Sequence, residues 1–278
     1  MTTAVKTITH PITGKTFRLG RRRPLSTPRL HLRNYLLQTP LPVAPANIDY
    51  SGPALDCLGQ IYGNDELGDC TAAGAFHIGG MLLANAGDGN IIDGGGTLDF
   101  SSQDAINFYS GSCGYVPGEP QTDQGGDEQT VLNYWKTNGL VRGEHKIAGY
   151  AAVDGLNPAQ CKDGNFLFEN LYFGVELPDA WINSMPAESG FTWDVAGDPD
   201  PDNGHCFIGS GYPTNAGVKI WTWGMWGTIT WAAIAKYAAI PLGGELYTIF
   251  GPDAIVKATA KAPNGFDATQ LLADLAAV

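Results

Sequence analysis

The first 48 residues constrain the fold of this chain most, because prolines interrupt them at short intervals. Six prolines stand in this segment, namely Pro11, Pro24, Pro28, Pro40, Pro42 and Pro45. Proline has no backbone N–H to donate, so this spacing excludes both a long helix and a central strand. The sequence therefore predicts an extended N-terminal arm over residues 1–48, followed by a globular domain over residues 49–278.

Charge divides the chain at the same place. Eight of the 16 Lys and Arg residues precede residue 34, whereas none of the 28 Asp and Glu residues comes before Asp49. The arm thus carries a formal charge of +8, and the remaining chain carries −20. This division predicts a basic tail attached to an acidic globular body.

The composition of the arm leaves three roles open. It could bind nucleic acid through its positive charge, it could be a propeptide, or it could dock onto a neighbouring acidic subunit. Nucleic-acid binding is disfavoured because the arm lacks the interleaved aromatic residues of a single-strand binder. We therefore expect docking to other protein subunits through residues 1–48, with Tyr35, Leu36 and Leu37 as an apolar anchor and a body that folds without the arm.

Several classes of protein are disfavoured by what the sequence lacks. No run of about 18 apolar residues is present, so we expect no membrane span. The first 30 residues contain no apolar core of a signal peptide, so we expect no secretion by that route. The five cysteines are widely spaced and form no Cys-x-x-Cys pair. That pattern predicts neither a disulfide framework nor a zinc site, and no cofactor is expected.

Periodicity and turn residues predict helices early and strands late. Helices are expected near residues 70–85, 102–108, 127–136, 158–168 and 267–278, and strands near residues 171–177, 205–212, 218–223 and 245–250. This order predicts an α+β protein with two unlike parts. The helical part covers about residues 49–145, the β-rich part about residues 146–255, and a C-terminal helix about residues 267–278.

Cys70 stands at the expected start of a helix made of small residues. The segment that leads into it reads Gly63-Asn64-Asp65-Glu66-Leu67-Gly68-Asp69-Cys70. Free backbone N–H groups at a helix start stabilise a thiolate and lower the pKa of a thiol there. Asp69 is expected to cap this helix, but its negative charge would oppose a thiolate. A buried structural cysteine is the alternative interpretation of this position.

Three motifs in this order resemble those of the papain-like cysteine peptidases. An amide side chain, Asn64, stands six residues before Cys70. A histidine begins an apolar run that ends in Gly-Tyr, in the segment Asn203-Gly204-His205-Cys206-Phe207-Ile208-Gly209-Ser210-Gly211-Tyr212. A double Trp-Gly follows, in Trp223-Gly224-Met225-Trp226-Gly227. The resemblance covers about residues 49–255 and implies a papain-like two-lobed α+β fold with an extended N-terminal arm.

The resemblance implies a role for each matching residue. Cys70 would attack a carbonyl carbon, His205 would take and return the proton, and Asn64 would hold the oxyanion. The sequence departs from the family at the third catalytic position, where Trp221 replaces the usual asparagine. The neighbouring Thr222 is the only candidate there, and it is a weak substitute for an amide.

Two functions follow from these observations. Domains with such motifs and a docking arm resemble proteins of bacteriophage particles and prophages. The preferred hypothesis is a structural or assembly subunit of a virion, as a decoration, cement or tail-associated protein with a vestigial Cys70–His205 pair, located in the virion or the host cytoplasm. The alternative is an active cysteine peptidase or amidase that cleaves peptide or amide bonds. Nucleic-acid binding is a distant third.

Overall fold

Helices pack on both faces of a large sheet in the computed structural model, which describes residues 5–28, 30–36, 43–86, 92–93, 97–98, 100–251, 269 and 273–274. The helices are α1 (Arg33–Leu36), α2 (Leu55–Leu58), α3 (Cys70–Asn85), α4 (Ser102–Cys113), α5 (Glu128–Asn138), α6 (Pro158–Phe168), α7 (Asp179–Asn183) and α8 (Trp231–Tyr237). Short 3-10 turns lie at Gly52–Ala54, Pro120–Thr122 and Ile240–Leu242.

An eight-stranded sheet forms the other part of the molecule. The strands of the chain are β1 (Lys6–Thr9), β2 (Thr16–Leu19), β3 (Ile48–Asp49), β4 (Ile92–Asp93), β5 (Thr97–Leu98), β6 (Gly149–Ala152), β7 (Leu171–Glu176), β8 (Phe191–Trp193), β9 (Gly204–Tyr212), β10 (Gly217–Thr222), β11 (Met225–Thr230) and β12 (Glu245–Phe250). The large sheet runs β6-β12-β7-β9-β10-β11-β8, and β3 pairs with the end of β9. Its pairs are antiparallel except β11 with β8. The predicted α+β class is confirmed.

Helix boundaries follow from capping residues that the sequence displays. Asp127 accepts a hydrogen bond from the Thr130 N–H, so α5 begins directly after it. Ser101 and Asp104 form a capping box at the start of α4. That helix continues past the predicted end at residue 108, because Gly114 in a left-handed conformation (φ 78°) ends it instead. Most of the C-terminal helix predicted for residues 267–278 lies outside the described residues.

The prediction omitted several of these elements, among them β1, β2, β6, β8, β11, α7 and α8. Residues Met225–Thr230 were interpreted only as part of the Trp-Gly signature, yet they pair along their whole length with Gly217–Thr222. Thr230 then caps α8 by accepting from the Ala233 N–H. The hairpin was missed because its turn uses Trp223 at a positive φ of 51°, which is rare for a bulky residue.

Helix α3 packs closely against the centre of the sheet, and a glycine permits this contact. A Cβ atom on Gly74 would lie 2.8 Å from Tyr172 Cε2 and 3.3 Å from Cys206 Sγ. The small residues of α3 thus bring its first turn next to β9. This packing places Cys70 near the start of the strand that carries His205.

The arm contributes to the core of its own chain. Strands β1 and β2 form a hairpin, and α1 follows it. Five arm side chains lie in the hydrophobic core of the β-rich part: Ile8, Phe17, Leu19, Leu32 and Tyr35. The arm therefore completes the core of its own body, and removal of the arm would expose this apolar surface. Of the expected anchor residues, Tyr35 and Leu36 pack on this core, and Leu37 lies outside the described residues.

Within the described part of the chain, no helix combines the length and apolar character that a bilayer crossing requires.

Candidate active site

Cys70 is the first residue of α3 and is buried. The sequence predicted a lowered thiol pKa at this helix start, and in this structure that is wrong. Burial raises the pKa of the Cys70 thiol to about 12, although the adjacent backbone amides of Gly20 and Cys206 partly offset this. Removal of a thiolate from water therefore outweighs the favourable field of the helix start.

Asp69 differs from the expectation in two ways. Its side chain makes no capping hydrogen bond to α3. The carboxyl group is fully buried, and burial raises its pKa well above the usual range. Burial therefore favours the neutral carboxylic acid and reduces the opposing charge that the sequence predicted beside the Cys70 thiol.

His205 lies on β9 and bonds to the residue proposed as a weak third member. Its Nε2 lies 2.7 Å from Thr222 Oγ1, whereas its Nδ1 has no hydrogen-bond partner among the described residues. The ring stacks on Trp223, with centroids 4.3 Å apart and planes at 20°. Burial lowers the pKa of His205 to about 3, so the imidazole is neutral in this state.

A small cavity brings the predicted site residues together. Asn64, Cys70 and Thr222 all line it, and His205 joins them through its bond to Thr222. Its volume is about 10 Å³, which is scarcely enough for one water molecule. Three of the four residues chosen from sequence thus line one cavity, although Asn64 and Thr222 are 158 positions apart along the chain.

The side-chain amide of Asn64 is already engaged. Its Nδ2 donates to the backbone oxygen of Leu67 at 3.0 Å and to that of Arg18 at 3.1 Å. Asn64 also accepts a backbone bond from the Arg18 N–H at 2.8 Å. The donor that would hold an oxyanion is therefore occupied by the arm.

Residues 18–22, called the arm strand below, run through the cleft between the two parts of the molecule. On the helical side the Gly126 N–H donates to Gly20 O at 2.9 Å, and the Arg22 N–H donates to Gly126 O at 2.8 Å. On the sheet side the Arg21 N–H donates to Gly204 O at 3.0 Å. The arm strand therefore uses backbone groups on both walls, directly beside Cys70 and His205.

Glycines on both partners allow this close approach. A Cβ atom on Gly20 would lie 1.9 Å from the backbone oxygen of Gly68, and one on Gly204 would lie 2.1 Å from that of Arg21. Such distances are impossible for real side chains, and a backbone neighbour cannot swing aside. The fit of the arm strand therefore depends on the absence of side chains at these positions.

Arg21 fixes the arm strand by a buried charge cluster. Its Nε lies 3.1 and 3.2 Å from the two carboxylate oxygens of Glu128, and its Nη2 lies 2.6 Å from Glu245 Oε1. Burial alone would lower the pKa of Arg21, but the two carboxylates more than compensate and raise it. Arg23 adds a more exposed ion pair with Glu176.

Sequence reasoning missed several residues around the cavity. His77 is buried and also lines the cavity, and its bond to Gln60 O at 2.9 Å satisfies the ring. The Arg21 cluster was missed because Glu128 and Glu245 are 107 and 224 positions away. The visible signal was the run Arg21-Arg22-Arg23 in an arm otherwise poor in charge clusters. Among the described residues, no group of three potential metal ligands occurs.

Comparisons with known proteins support the fold. No family model and no curated protein matches the sequence. Solved structures do match: digestive procathepsin L2 proteinase from Tenebrio molitor larval midgut is 14% identical, with 89% of this chain and 84% of that chain covered and a TM-score of 0.56. The ragweed pollen allergen Amb a 11 cysteine protease in its proform is 15% identical, with coverages of 82% and 72% and a TM-score of 0.53. The expected papain-like fold is confirmed.

A third match is proCathepsin B S9 from Trypanosoma congolense, which is 11% identical over 84% of this chain and 86% of that chain, with a TM-score of 0.51. Identities this low show the fold alone.

Proposed function

We propose that this protein is a cysteine peptidase or amidase that its own arm holds inactive. The observation that carries the proposal is the cavity lined by Asn64, Cys70 and Thr222, with His205 bonded to Thr222 and the arm strand closing the cleft beside it. Of the three similar structures, Amb a 11 is named as a cysteine protease in its proform, and the other two are named as procathepsins.

Each side chain has a role once the arm strand leaves. Water then enters, so burial no longer raises the thiol pKa, and the free N–H groups of the α3 start favour the thiolate. Nδ1 of His205, which has no hydrogen-bond partner among the described residues, takes the proton of Cys70, while its Nε2–H donates to Thr222 Oγ1. Trp223, stacked on the imidazole, fixes the plane of the ring.

The reaction that follows is acyl transfer. The sulfur of Cys70 attacks the carbonyl carbon of the substrate, and the oxyanion accepts hydrogen bonds from the Asn64 amide and the Cys70 N–H. The imidazolium of His205 gives its proton to the amine, which leaves, and a thioester remains. Water, deprotonated by His205, attacks the thioester and releases the acid, and the thiol is restored.

The arm strand blocks this reaction in two ways. It occupies the backbone groups of Gly126 and Gly204 that a bound peptide would use on the two walls. It also takes the Asn64 amide through Arg18 O. A substrate must therefore displace the arm before it can reach Cys70.

The test is to displace the arm with one methyl group. Gly20→Ala forces a Cβ to 1.9 Å from Gly68 O and should expel the arm strand. Gly52→Ala is the matched control, because a Cβ there meets no atom within 4 Å. We expect iodoacetamide to alkylate Cys70 at least tenfold faster in Gly20→Ala than in the native chain or the control, with the modified residue identified by mass spectrometry.

Hydrolysis is measured on the same variants with a mixture of fluorogenic peptides. We expect turnover by Gly20→Ala alone, abolished by the added change Cys70→Ser. Adding Thr222→Val should lower kcat/KM by roughly 10²-fold, while Thr222→Ser, which keeps the hydroxyl, should retain most activity. A reactive Cys70 without any turnover would refute the enzymatic proposal.

A second candidate is the structural subunit of a particle, with a bacteriophage virion as the expected assembly and the arm as its docking segment. The observation in its favour is that burial leaves both Cys70 and His205 neutral and enclosed. Exposed apolar side chains on or after the hairpin, Ile12, Leu25 and Val43, would then contact the neighbouring subunit. Particles that incorporate an Ile12→Asp, Leu25→Asp variant as well as the native protein would rule out this docking surface.

A further inference from the structure

Arg21 occupies a pocket whose acceptors match a guanidinium group. Nε contacts both oxygens of Glu128, Nη2 contacts Glu245 at 2.6 Å, and Nη1 donates to the backbone oxygen of Gly243 at 2.6 Å. The side chains of Arg21 and Glu128 are fully buried, and that of Glu245 is 2% exposed. We call these three acceptors, from Glu128, Gly243 and Glu245, the Arg21 pocket.

The pocket is held in shape by groups that do not belong to the arm. The hydroxyl of Tyr247 donates to Glu245 Oε2 at 2.6 Å and so fixes the second oxygen of that carboxylate. Gly174 leaves the space for the others, because a Cβ there would lie 2.1 Å from Glu128 Oε1 and 2.8 Å from Arg21 Nε. Glu245 is therefore held in place by a group of the body, not by the arm.

The geometry discriminates between the two basic side chains. A guanidinium presents donors in a planar fork, and all three of its nitrogens have acceptors here. A lysine ammonium is a single point charge and cannot reach acceptors spread around such a fork. Citrulline has the shape of arginine but no charge, so it would leave two buried carboxylates uncompensated.

The pocket would be unstable when empty. Removal of one partner from a buried ion pair leaves an uncompensated charge away from water, which is strongly destabilising. When the arm strand leaves, Glu128 and Glu245 lose their cation together. The vacated pocket therefore favours the next guanidinium that enters the cleft.

The position of the pocket connects it with the chemistry. The Arg21 N–H donates to Gly204 O, one residue before His205 in the chain. The amide of Gly20, one residue before Arg21, lies beside the Cys70 thiol. In a peptide bound like the arm strand, the residue whose side chain enters this pocket is therefore the neighbour of the residue whose backbone lies beside Cys70.

We propose that the cleft selects peptides with an arginine whose guanidinium enters the Arg21 pocket, and that the arm excludes them by presenting an arginine of its own. The identification of arginine-containing peptides as the substrate class rests on the proposed peptidase function. The pocket itself, as a binding site for arginine, does not depend on turnover.

The binding test uses the full chain with Gly20→Ala, Cys70→Ser, in which the arm is displaced and cleavage is blocked. The probe is a fluorescent peptide with the sequence of residues 18–24, whose own glycine at position 20 still fits against Gly68. We expect citrulline in place of arginine 21 of the probe to weaken binding at least tenfold by fluorescence anisotropy. Citrulline in place of arginine 23, the more exposed one, should weaken it less than threefold.

Two variants of the protein test which residue causes the preference for arginine over citrulline. Glu245→Gln should remove most of the preference for arginine over citrulline, whereas Glu144→Gln, at an exposed position, should leave it unchanged. The citrulline probes alter only the peptide, so the test remains decisive if Glu245→Gln does not fold. Equal affinity for the arginine and citrulline-21 probes would overturn the proposal.

Hydrolysis by the Gly20→Ala variant separates the two proposals. A panel of peptides carries arginine, lysine or leucine at each position in turn. Cleavage with at least a tenfold preference for arginine at one position supports both proposals. Cleavage without such a preference overturns the substrate class and leaves the peptidase function standing. Selective binding of the arginine probe without any cleavage refutes the peptidase function, while the pocket is supported.

Discussion

Cys70 and His205 are enclosed by other side chains, and this enclosure sets the charge that each of them carries. The pKa of the Cys70 thiol is raised and that of the His205 imidazole is lowered, so both side chains are uncharged. The thiolate–imidazolium pair that thiol catalysis uses requires the opposite shifts. Under the proposed function, solvent access therefore separates this enclosed state from an active one, although the residues are the same.

The lowered pKa of His205 predicts a dependence of stability on pH. Its pKa is about 3 in the folded protein and about 6.5 in an unfolded chain, so the unfolded state binds one more proton as the pH falls between these values. Stability contributed by the neutral ring is complete above about pH 6.5 and is lost below it. Compared with His205→Gln, the native protein should lose about 1.4 kcal/mol more per pH unit between pH 6 and 4.

Urea denaturation at pH 8, 6, 5 and 4 measures this difference. The two curves of unfolding free energy against pH should run parallel above pH 7.5 and converge or cross below pH 6. Parallel curves down to pH 4 would show that His205 is solvated in the folded protein.

The hairpin of β1 and β2 behaves as an element of the core as well as a part of the arm. Phe17 on β2 is buried and lies 5.1 Å from the ring of Trp223, measured between centroids. Trp223 in turn stacks on His205. The arm hairpin therefore contacts the same indole that stacks on His205.

Truncation of Phe17 tests this dependence. Phe17→Ala removes a buried aromatic side chain and should lower the free energy of unfolding by about 3–5 kcal/mol in chemical denaturation. Ile12→Ala, in the turn of the same hairpin, alters a side chain that is 87% exposed and should change it by less than about 0.5 kcal/mol. Equal small effects of the two changes would mean that the hairpin does not belong to the core in solution.

At the scale of the whole molecule, the arm strand joins the two parts across the cleft. It bonds to Gly126 on the helical side and to Gly204 on the sheet side, and Arg21 places its charge between carboxylates of α5 and β12. The basic arm thus compensates part of the acidic charge of its own body. The basic arm and the acidic body that the sequence displays therefore form ion pairs within one chain.

A nick between arm and body should therefore leave the protein assembled. A protease recognition sequence inserted after Val43, which is 92% exposed, allows the chain to be cut there. We expect both fragments to elute together in size-exclusion chromatography and to separate only in denaturant, because buried apolar and charged contacts hold them. Adding Arg21→Ala should release the arm fragment, whereas Arg23→Ala should not. An arm fragment that elutes alone from the otherwise native protein would contradict this account.

The sequence by itself determined the α+β class and those elements whose signals are local. Capping residues such as Asp127 and apolar runs such as residues 205–212 are local signals, because they act within one or two turns of the backbone. The motifs around Asn64, Cys70 and His205 led to the correct fold, and Asn64 and Cys70 line one cavity. Thr222 was identified only because it stands beside the expected position.

Tertiary structure decided the state of the site and the place of the arm. Arg21 pairs with Glu128 and Glu245, which lie 107 and 224 positions further along the chain. No local sequence pattern encodes pairings over such separations. The pKa of Cys70 was predicted in the wrong direction for a similar reason. Helix position is visible in the sequence, but desolvation depends on how many atoms from distant segments exclude water from the thiol, and here that term is the larger one.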